Sequence, residues 1–144
     1  MQPAPDPLGP DAGYFAHDAD IGIAGRGATV EEAFVNAARA MFAITCDLGA
    51  VRPIQAFDLE FEEEDLDMAL VTWLNLLLPE ARWRGLALSE FSLQRSGARW
   101  RGRARGEPWH PELERGVEVK GATLTMLSVR QMDDRWEARC VVDV

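Results

Sequence analysis

The sequence predicts an α+β fold of two layers, in which a mostly antiparallel sheet has two helices packed on one face. Two segments repeat apolar residues with the helical period yet have only one greasy face, so each needs a sheet to lie against. The rest of the chain is strand-like and cut by short turn signals, and consecutive strands joined by tight turns must be antiparallel. With 144 residues and 47% hydrophobic side chains, the chain has the size and apolar content of one domain with one core.

Residues 1–13 hold Pro3, Pro5, Pro7 and Pro10 among small and acidic residues, a composition that does not pair as a strand and reads as a flexible tail. The single domain is expected over 14–144. From Tyr14 to Ala24 the chain reads as two short extended pieces around His17-Asp18-Ala19-Asp20, with Ile21 and Ile23 on one face. Thr29, followed three residues later by Glu32, is a capping box that starts a helix. Phe34, Ala37, Ala38, Met41, Phe42 and Thr45 form its stripe, which ends near Asp47-Leu48-Gly49. Val51 to Glu63 is strand-like. A second helix is predicted from about Asp65 to Ala81, where Leu66, Leu70, Trp73, Leu74, Leu77 and Leu78 share the period. Strands are then expected over Leu86–Arg95, Arg99–Gly106, Val117–Arg130 and Arg135–Asp143, with turns at Ser96-Gly97 and Asp133-Asp134.

Charge narrows the function classes. The 15 basic and 24 acidic side chains give a formal net charge of −9, which repels a polyphosphate backbone over most of the surface, so stable, unassisted nucleic-acid binding is not expected. A basic protein partner or a cation suits such a surface better. No apolar run approaches the about 18 residues needed to cross a bilayer, and the proline-rich, acidic start is unlike a signal peptide, so a cytoplasmic protein with no membrane partner is expected. Cys46 and Cys140 lie in apolar settings away from any Cys/His cluster and read as reduced core residues, with a disulfide as the alternative.

Asp18 and Asp20 beside His17 are hard donors that alternation puts on one face, where they either hold a divalent ion or end a strand as solvated acids. His110, in a Trp-His-Pro loop, reads as a surface residue and leaves no second histidine placed for zinc. The last strand alternates as far as Asp143, so a buried strand runs to Val144. If the first strand lies nearby, Asp20, Asp143 and the Val144 carboxylate form an all-oxygen cage; an ordinary solvated strand end is the other reading. Arg99, Arg101, Arg103 and Arg105 form a row on one strand face. They either grip phosphate or an acidic partner, or face the acids of neighbouring strands in solvent. The acidic run from Asp58 to Asp67 suits a helix start and requires no ligand. Lys120, between Val119 and Gly121, is the one isolated cation that a structural account does not require. No nucleophile elbow, P-loop or dinucleotide glycine pattern is present, so nucleophilic catalysis has no visible machinery.

Together these residues resemble the archease family, in order and over nearly all of 14–144. His17-Asp18-Ala19-Asp20-Ile21-Gly22-Ile23 resembles its H-T-A-D-I-G-I opening and Thr29-Val30-Glu31-Glu32-Ala33-Phe34 its T-x-E-E-A-F helix start. Trp73-Leu74-Asn75 resembles its W-L-N, Ser89-Glu90-Phe91 its S-E-F, and Val119-Lys120-Gly121-Ala122-Thr123 its V-K-A-V-T. Trp136-Glu137-Ala138 and Val142-Asp143-Val144 resemble its W-E-A and its final residues. The chain departs at Ala16, Asp18, Thr72, Leu124 and Thr125, where the family has Asp, Thr, an acid, Tyr and His.

The resemblance implies an accessory protein, not an enzyme, that promotes guanylation and multiple turnover of the GTP-dependent tRNA-splicing RNA ligase. It also implies a divalent-metal site, calcium first with magnesium or manganese as alternatives, made by Asp20, Asp143 and the Val144 carboxylate. His17 and Asp18 are candidates for a further ligand or the surrounding shell. Lys120, Arg101 and Arg103 are candidate contacts to the ligase. Two other functions stay open: a metal-dependent hydrolase using Asp18, Asp20 and His17, and a chaperone-like or RNA-binding module using the Arg99–Arg105 strand.

Overall fold

Thr29 is extended, and its hydroxyl accepts from the Glu32 amide at 3.1 Å while the Glu32 carboxylate accepts from the Ala28 amide at 2.9 Å. The glutamate thus reaches one residue further back than the expected cap, and the two bonds together start helix α1, Val30–Ala43. The computed structural model describes residues 9–17 and 20–144 and, of residues 15–17, the backbone alone. Strands β1 (Ala12–His17) and β2 (Asp20–Gly27) precede α1; a short 3₁₀ turn, Leu48–Ala50, and β3 (Gln55–Glu62) follow it. Helix α2 spans Leu66–Arg84, and β4 (Leu86–Ser96), β5 (Arg99–Pro108), β6 (Gly121–Ala122), β7 (Ser128–Met132) and β8 (Arg135–Asp143) complete the chain.

The class and the antiparallel pairing are those the sequence predicts, but the strands divide into two sheets where one was expected. β8 is flanked by β2 on one edge and by β6 and β7 on the other, with β1 outside β2. β5 is flanked by β3 and β4. Each central strand therefore completes both of its edges within its own sheet. Helix α1 ties the two sheets together by packing on β1, β2 and β8 of the first sheet and on β4 of the second.

Two further expectations are corrected. Ala12 and Gly13 belong to β1, since Ala12 pairs with Gly25 and the Asp11 carbonyl accepts from Arg26, so the ordered chain begins before Tyr14; the proline-rich residues 1–8 lie outside the described residues. The expected strand over Val117–Arg130 is interrupted. Both the amide and the hydroxyl of Thr123 are spent on the Val141 carbonyl, and Met126 at φ 54 turns the chain before β7 resumes. The two turns fall where expected, with Gly97 at φ 62 between β4 and β5 and Asp133 at φ 57 between β7 and β8. Helix α2 runs three residues past its expected end, to a left-handed cap at Gly85.

The core rests on close approach and aromatic packing. Gly25 faces α1 so closely that an added Cβ would overlap the backbone of Ala33 and Ala37, which lets the helix lie directly on the sheet. Gly102 opens the same kind of space under Trp73, whose indole N–H donates to the Phe34 carbonyl at 3.0 Å. Trp100 stacks between Phe34 and Phe61 at centroid separations of 5.1 and 5.6 Å, joining α1 to both β3 and β5. Because the helix backbone cannot yield as a flexible side chain does, Gly25→Ala is expected to destabilise the fold by about 3 kcal/mol; urea unfolding reads this, and wild-type stability would show that α1 does not seat on Gly25.

Candidate functional site

The end of the first sheet gathers most of the residues singled out in the sequence. β2 and β8 pair in a register that sets Ile21 across from Val142 and Ile23 across from Cys140, all of them core residues. The same register carried one residue further sets Asp20 across from Asp143, and alternation puts both on the face turned away from the helices. Asp20 is half-buried and Asp143 exposed. On the other edge of β8, Gly121 pairs with Asp143, and the Lys120 amide donates to the Asp143 carbonyl at 2.8 Å, which brings exposed Lys120 across from half-buried Val144.

Helix α2 sets this edge. The Asn75 side-chain amide donates to the Ala122 carbonyl at 3.0 Å, and its carbonyl accepts from the Ala122 amide at 2.8 Å, a two-point clamp on β6. Thr123 then donates through its hydroxyl to the Val141 carbonyl at 2.8 Å. The Lys120 backbone is thus held beside that of Asp143 by contacts that begin in the middle of a helix.

Like charges directly opposite on paired strands repel, so the Asp20–Asp143 pair is favoured by a cation between or beside the two. The donors are hard oxygens, which suit calcium, magnesium or manganese and not zinc. Among the described residues no three Asp, Glu, His or Cys side chains converge as a metal cluster. The described side chains supply two carboxylates, Asp20 and Asp143. The His17 backbone pairs with Asp20, while its side chain and all of Asp18 lie outside the described residues.

The arginine row is elsewhere, on the outer face of the second sheet, and there it meets acids. Asp58, Glu60 and Glu62 of β3 stand in register with Arg103, Arg101 and Arg99 of β5, at 2.7, 3.0 and 3.3 Å. The Arg103 hydrogen bond holds the Asp58 carboxyl below its ordinary value. Arg101 and Arg103 are therefore matched by neighbouring acids and lie in a different sheet from Lys120. The rest of the acidic run has local duties: Asp65 caps α2 at the Met68 amide, and Asp67 accepts from the Val129 amide.

Both cysteines are free and buried, and burial pushes the Cys140 thiol up to about 12. His110 is less free than its loop suggested, since its Nε2 lies 3.2 Å from Oε1 of Glu107. Glu107 went unremarked in the sequence, yet it is 1% exposed and accepts from the Arg52 amide at 2.6 Å and from the Arg52 guanidinium. The Arg52 amide bond, then its guanidinium, lower the Glu107 carboxyl. This knot ties the loop before β3 to the end of β5; no sequence period marks it, because its members come from distant segments.

A profile of the archease protein family matches residues 13–144. The chain belongs to the archease family. It is 36% identical to the protein archease of Pyrococcus furiosus over 137 residues, which are 91% of this chain and 96% of that one. The protein archease of Thermococcus kodakarensis is 33% identical with the same coverage. The solution structure of protein 1598 from Methanobacterium thermoautotrophicum superposes with a TM-score of 0.78 at 28% identity, covering 93% of this chain and 99% of that one. A crystal structure from Thermotoga maritima, described as an archease and possible chaperone, shares the fold at a TM-score of 0.64 and 20% identity, covering 90% of this chain and 94% of that one. These archeases are named as proteins and none as an enzyme.

Archease-like motifs noted in the sequence have structural work in this chain. In Trp73-Leu74-Asn75, Trp73 fills the space over Gly102 and Asn75 clamps Ala122. Of the departures, Leu124 is exposed, Thr125 offers its carbonyl to the Val141 amide, and Thr72 is half-buried on α2. Asn75→Ala leaves the amide and carbonyl of Ala122 without partners and is expected to cost about 1–3 kcal/mol, with faster hydrogen exchange at Ala122; unchanged exchange there would remove Asn75 as the clamp.

Proposed function

We propose that this chain is an accessory protein of the GTP-dependent tRNA-splicing RNA ligase, promoting its guanylation and multiple turnover, and that it presents the end of its first sheet to that partner. One observation supports the reading above others: the β2–β8 register, carried one residue past Ile21 and Val142, sets Asp20 across from Asp143, while the β6–β8 pairing brings the Lys120 backbone to the same end. Charged groups at one sheet end are suited to recognition, and family membership supports the partner that the sequence resemblance implies.

In this reading a divalent cation, calcium first, is held by Asp20 and Asp143, with the α-carboxylate at Val144 as a third donor. The cation would neutralise the anionic pair and order the strand ends. His17 and Asp18, next to Asp20 in sequence, are candidates to add to that donor set. Lys120 offers an ammonium for a phosphate of the guanylated ligase or for one of its carboxylates. Arg101 and Arg103 are left out of the contact, because their neighbouring acids already match them. No catalytic step is assigned to any of these groups.

A ligation assay with RNA in excess over the ligase tests this. The expected outcome is several ligations per ligase molecule when the protein is present and fewer without it. Lys120→Ala should lose that stimulation while melting at the wild-type temperature. Equal turnover with and without the protein would overturn the assignment, and a fully active Lys120→Ala would remove Lys120 from the contact.

A further inference from the structure

Strand β3 is an edge of the second sheet: it pairs with β5 and, among the described residues, with no other strand. The opposite edge, β4, has helix α1 beside it, with Phe91 stacked on Phe42 and Arg95 3.7 Å from Glu31. Along β3 the ladder sets which backbone groups stay open. The Glu63 amide donates to the Ala98 carbonyl at 2.8 Å, one step beyond the Glu62–Arg99 pair. Bonded and non-bonded pairs alternate in an antiparallel ladder, so Phe61, Leu59 and Phe57 turn their N–H and C=O groups to β5. Glu62, Glu60 and Asp58 turn theirs away from the sheet.

The side chains of this edge differ between its two faces. On the inner face Leu59 and Phe61 pack against the core and yet are only half-buried. On the outer face Asp58, Glu60 and Glu62 each meet one arginine, and all three arginines stand on β5. Those arginines lie on a central strand with neighbours on both sides; the acids are open on the side away from β5. Their side chains stay 65%, 60% and 71% exposed, and a carboxylate has about four acceptor sites, so an ion pair on one side leaves acceptors for the other. Just before β3, Ile54 is 61% exposed and borders, with Pro108, Trp109 and Pro111, an open hollow of about 530 Å³.

We propose that the β3 edge takes up an extended protein segment as an added strand, one that alternates basic with apolar residues and carries an apolar residue at the end nearest Ile54. Open N–H and C=O groups at every second residue are matched by another peptide backbone and not by a polynucleotide, which the acids also repel. Alternation then fixes the chemistry of the segment. Its outward side chains stand opposite Asp58, Glu60 and Glu62, where basic groups are favoured and like charges destabilise. That excludes an acidic strand, and it excludes β3 of a second copy, whose own acids would face these. The inward side chains cover Leu59 and Phe61 and are therefore apolar. Charged edges also protect a sheet against pairing with itself; the same acids do this while leaving a basic strand admissible. The surface lies on a different sheet from Asp20, Asp143 and Lys120, so it does not depend on the function proposed for them.

A synthetic peptide, Lys-Val-Lys-Val-Lys-Val-Leu, titrated into the full chain tests this, because as an antiparallel strand it sets its lysines opposite Glu62, Glu60 and Asp58. Wild type should bind it, and amide exchange at Asp58 and Glu60 should slow by about tenfold at saturation as those N–H groups gain acceptors. Methylating the lysine backbone nitrogens, which keeps every charge but blocks the ladder, should abolish binding; methylating the valine nitrogens, which point away from β3, should not. Asp58→Asn with Glu60→Gln should weaken binding roughly threefold to tenfold, and Ile54→Ser should weaken it as well. Asp133→Asn with Asp134→Asn, acids of a distant turn, should leave it within about twofold. Absence of wild-type binding would overturn the proposal, as would unchanged exchange at Asp58 and Glu60. Equal binding of the peptide methylated at its lysines, or of one with its lysines in a single block, would overturn it in favour of attraction by charge alone.

Discussion

Strand β8 is hydrogen-bonded along both edges, by β2 on one side and by β6, the Thr123–Thr125 turn and β7 on the other, up to the last residues of the chain. The rest of the first sheet depends on that double pairing. Ala138, Cys140 and Val142 point into the core against α1 and α2 and fix which way the strand faces. A slip of one residue would turn all three outward. The same constraint decides where the charges go. With the inner set fixed, Glu137, Arg139 and Asp143 must lie on the far face, opposite Arg26, Ala24 and Asp20.

This makes the far face of the first sheet electrically uneven: carboxylates at one end, a surplus of guanidinium groups toward the other, and buried Gly22 and Val141 between them. The far face of the second sheet is even, with cross-strand ion pairs in sequence along β3 and β5. Exposed pairs of that kind contribute little to stability and mainly set register and solubility. Two sheets with similar hydrogen bonding thus present different surfaces, with the uneven face on the first sheet. Helix α2 contributes from behind, since Asn75 and Asp67 reach β6 and the start of β7 and hold the strands that border that face.

Local signals were legible in the sequence. The Thr29–Glu32 cap, the apolar stripes of both helices, the glycine and aspartate turns and the alternation of β8 all follow from residues within a turn or a strand of each other, and each appears in the structure. The alignment of Asp20 with Asp143 was reached only as a conditional, because it requires knowing that β2 and β8 are neighbours across more than a hundred residues. Long-range partnership is also why the second sheet was missed: β3, β4 and β5 have the same alternation as the rest. The break after Ala122 was hidden because Thr123 gives up its place in the ladder through a side-chain bond that a run of β-formers does not reveal. Glu107 was invisible for the same reason, as Arg52 lies on a distant segment. In the sequence the arginine row fits either a partner contact or a face opposite acids, and only the register shows the acids across from it.

The central proposal is that Asp20, Asp143 and the Val144 carboxylate hold a cation at the end of the first sheet. Calorimetric titration with calcium of three forms tests it most directly: the chain ending at Val144, the same chain with two residues added after it, and Asp143→Asn. The account predicts binding to the first form and affinities weaker by roughly tenfold or more in the other two, because each loses an anionic oxygen ligand. Equal calcium affinity in all three forms, or none in the first, would contradict it.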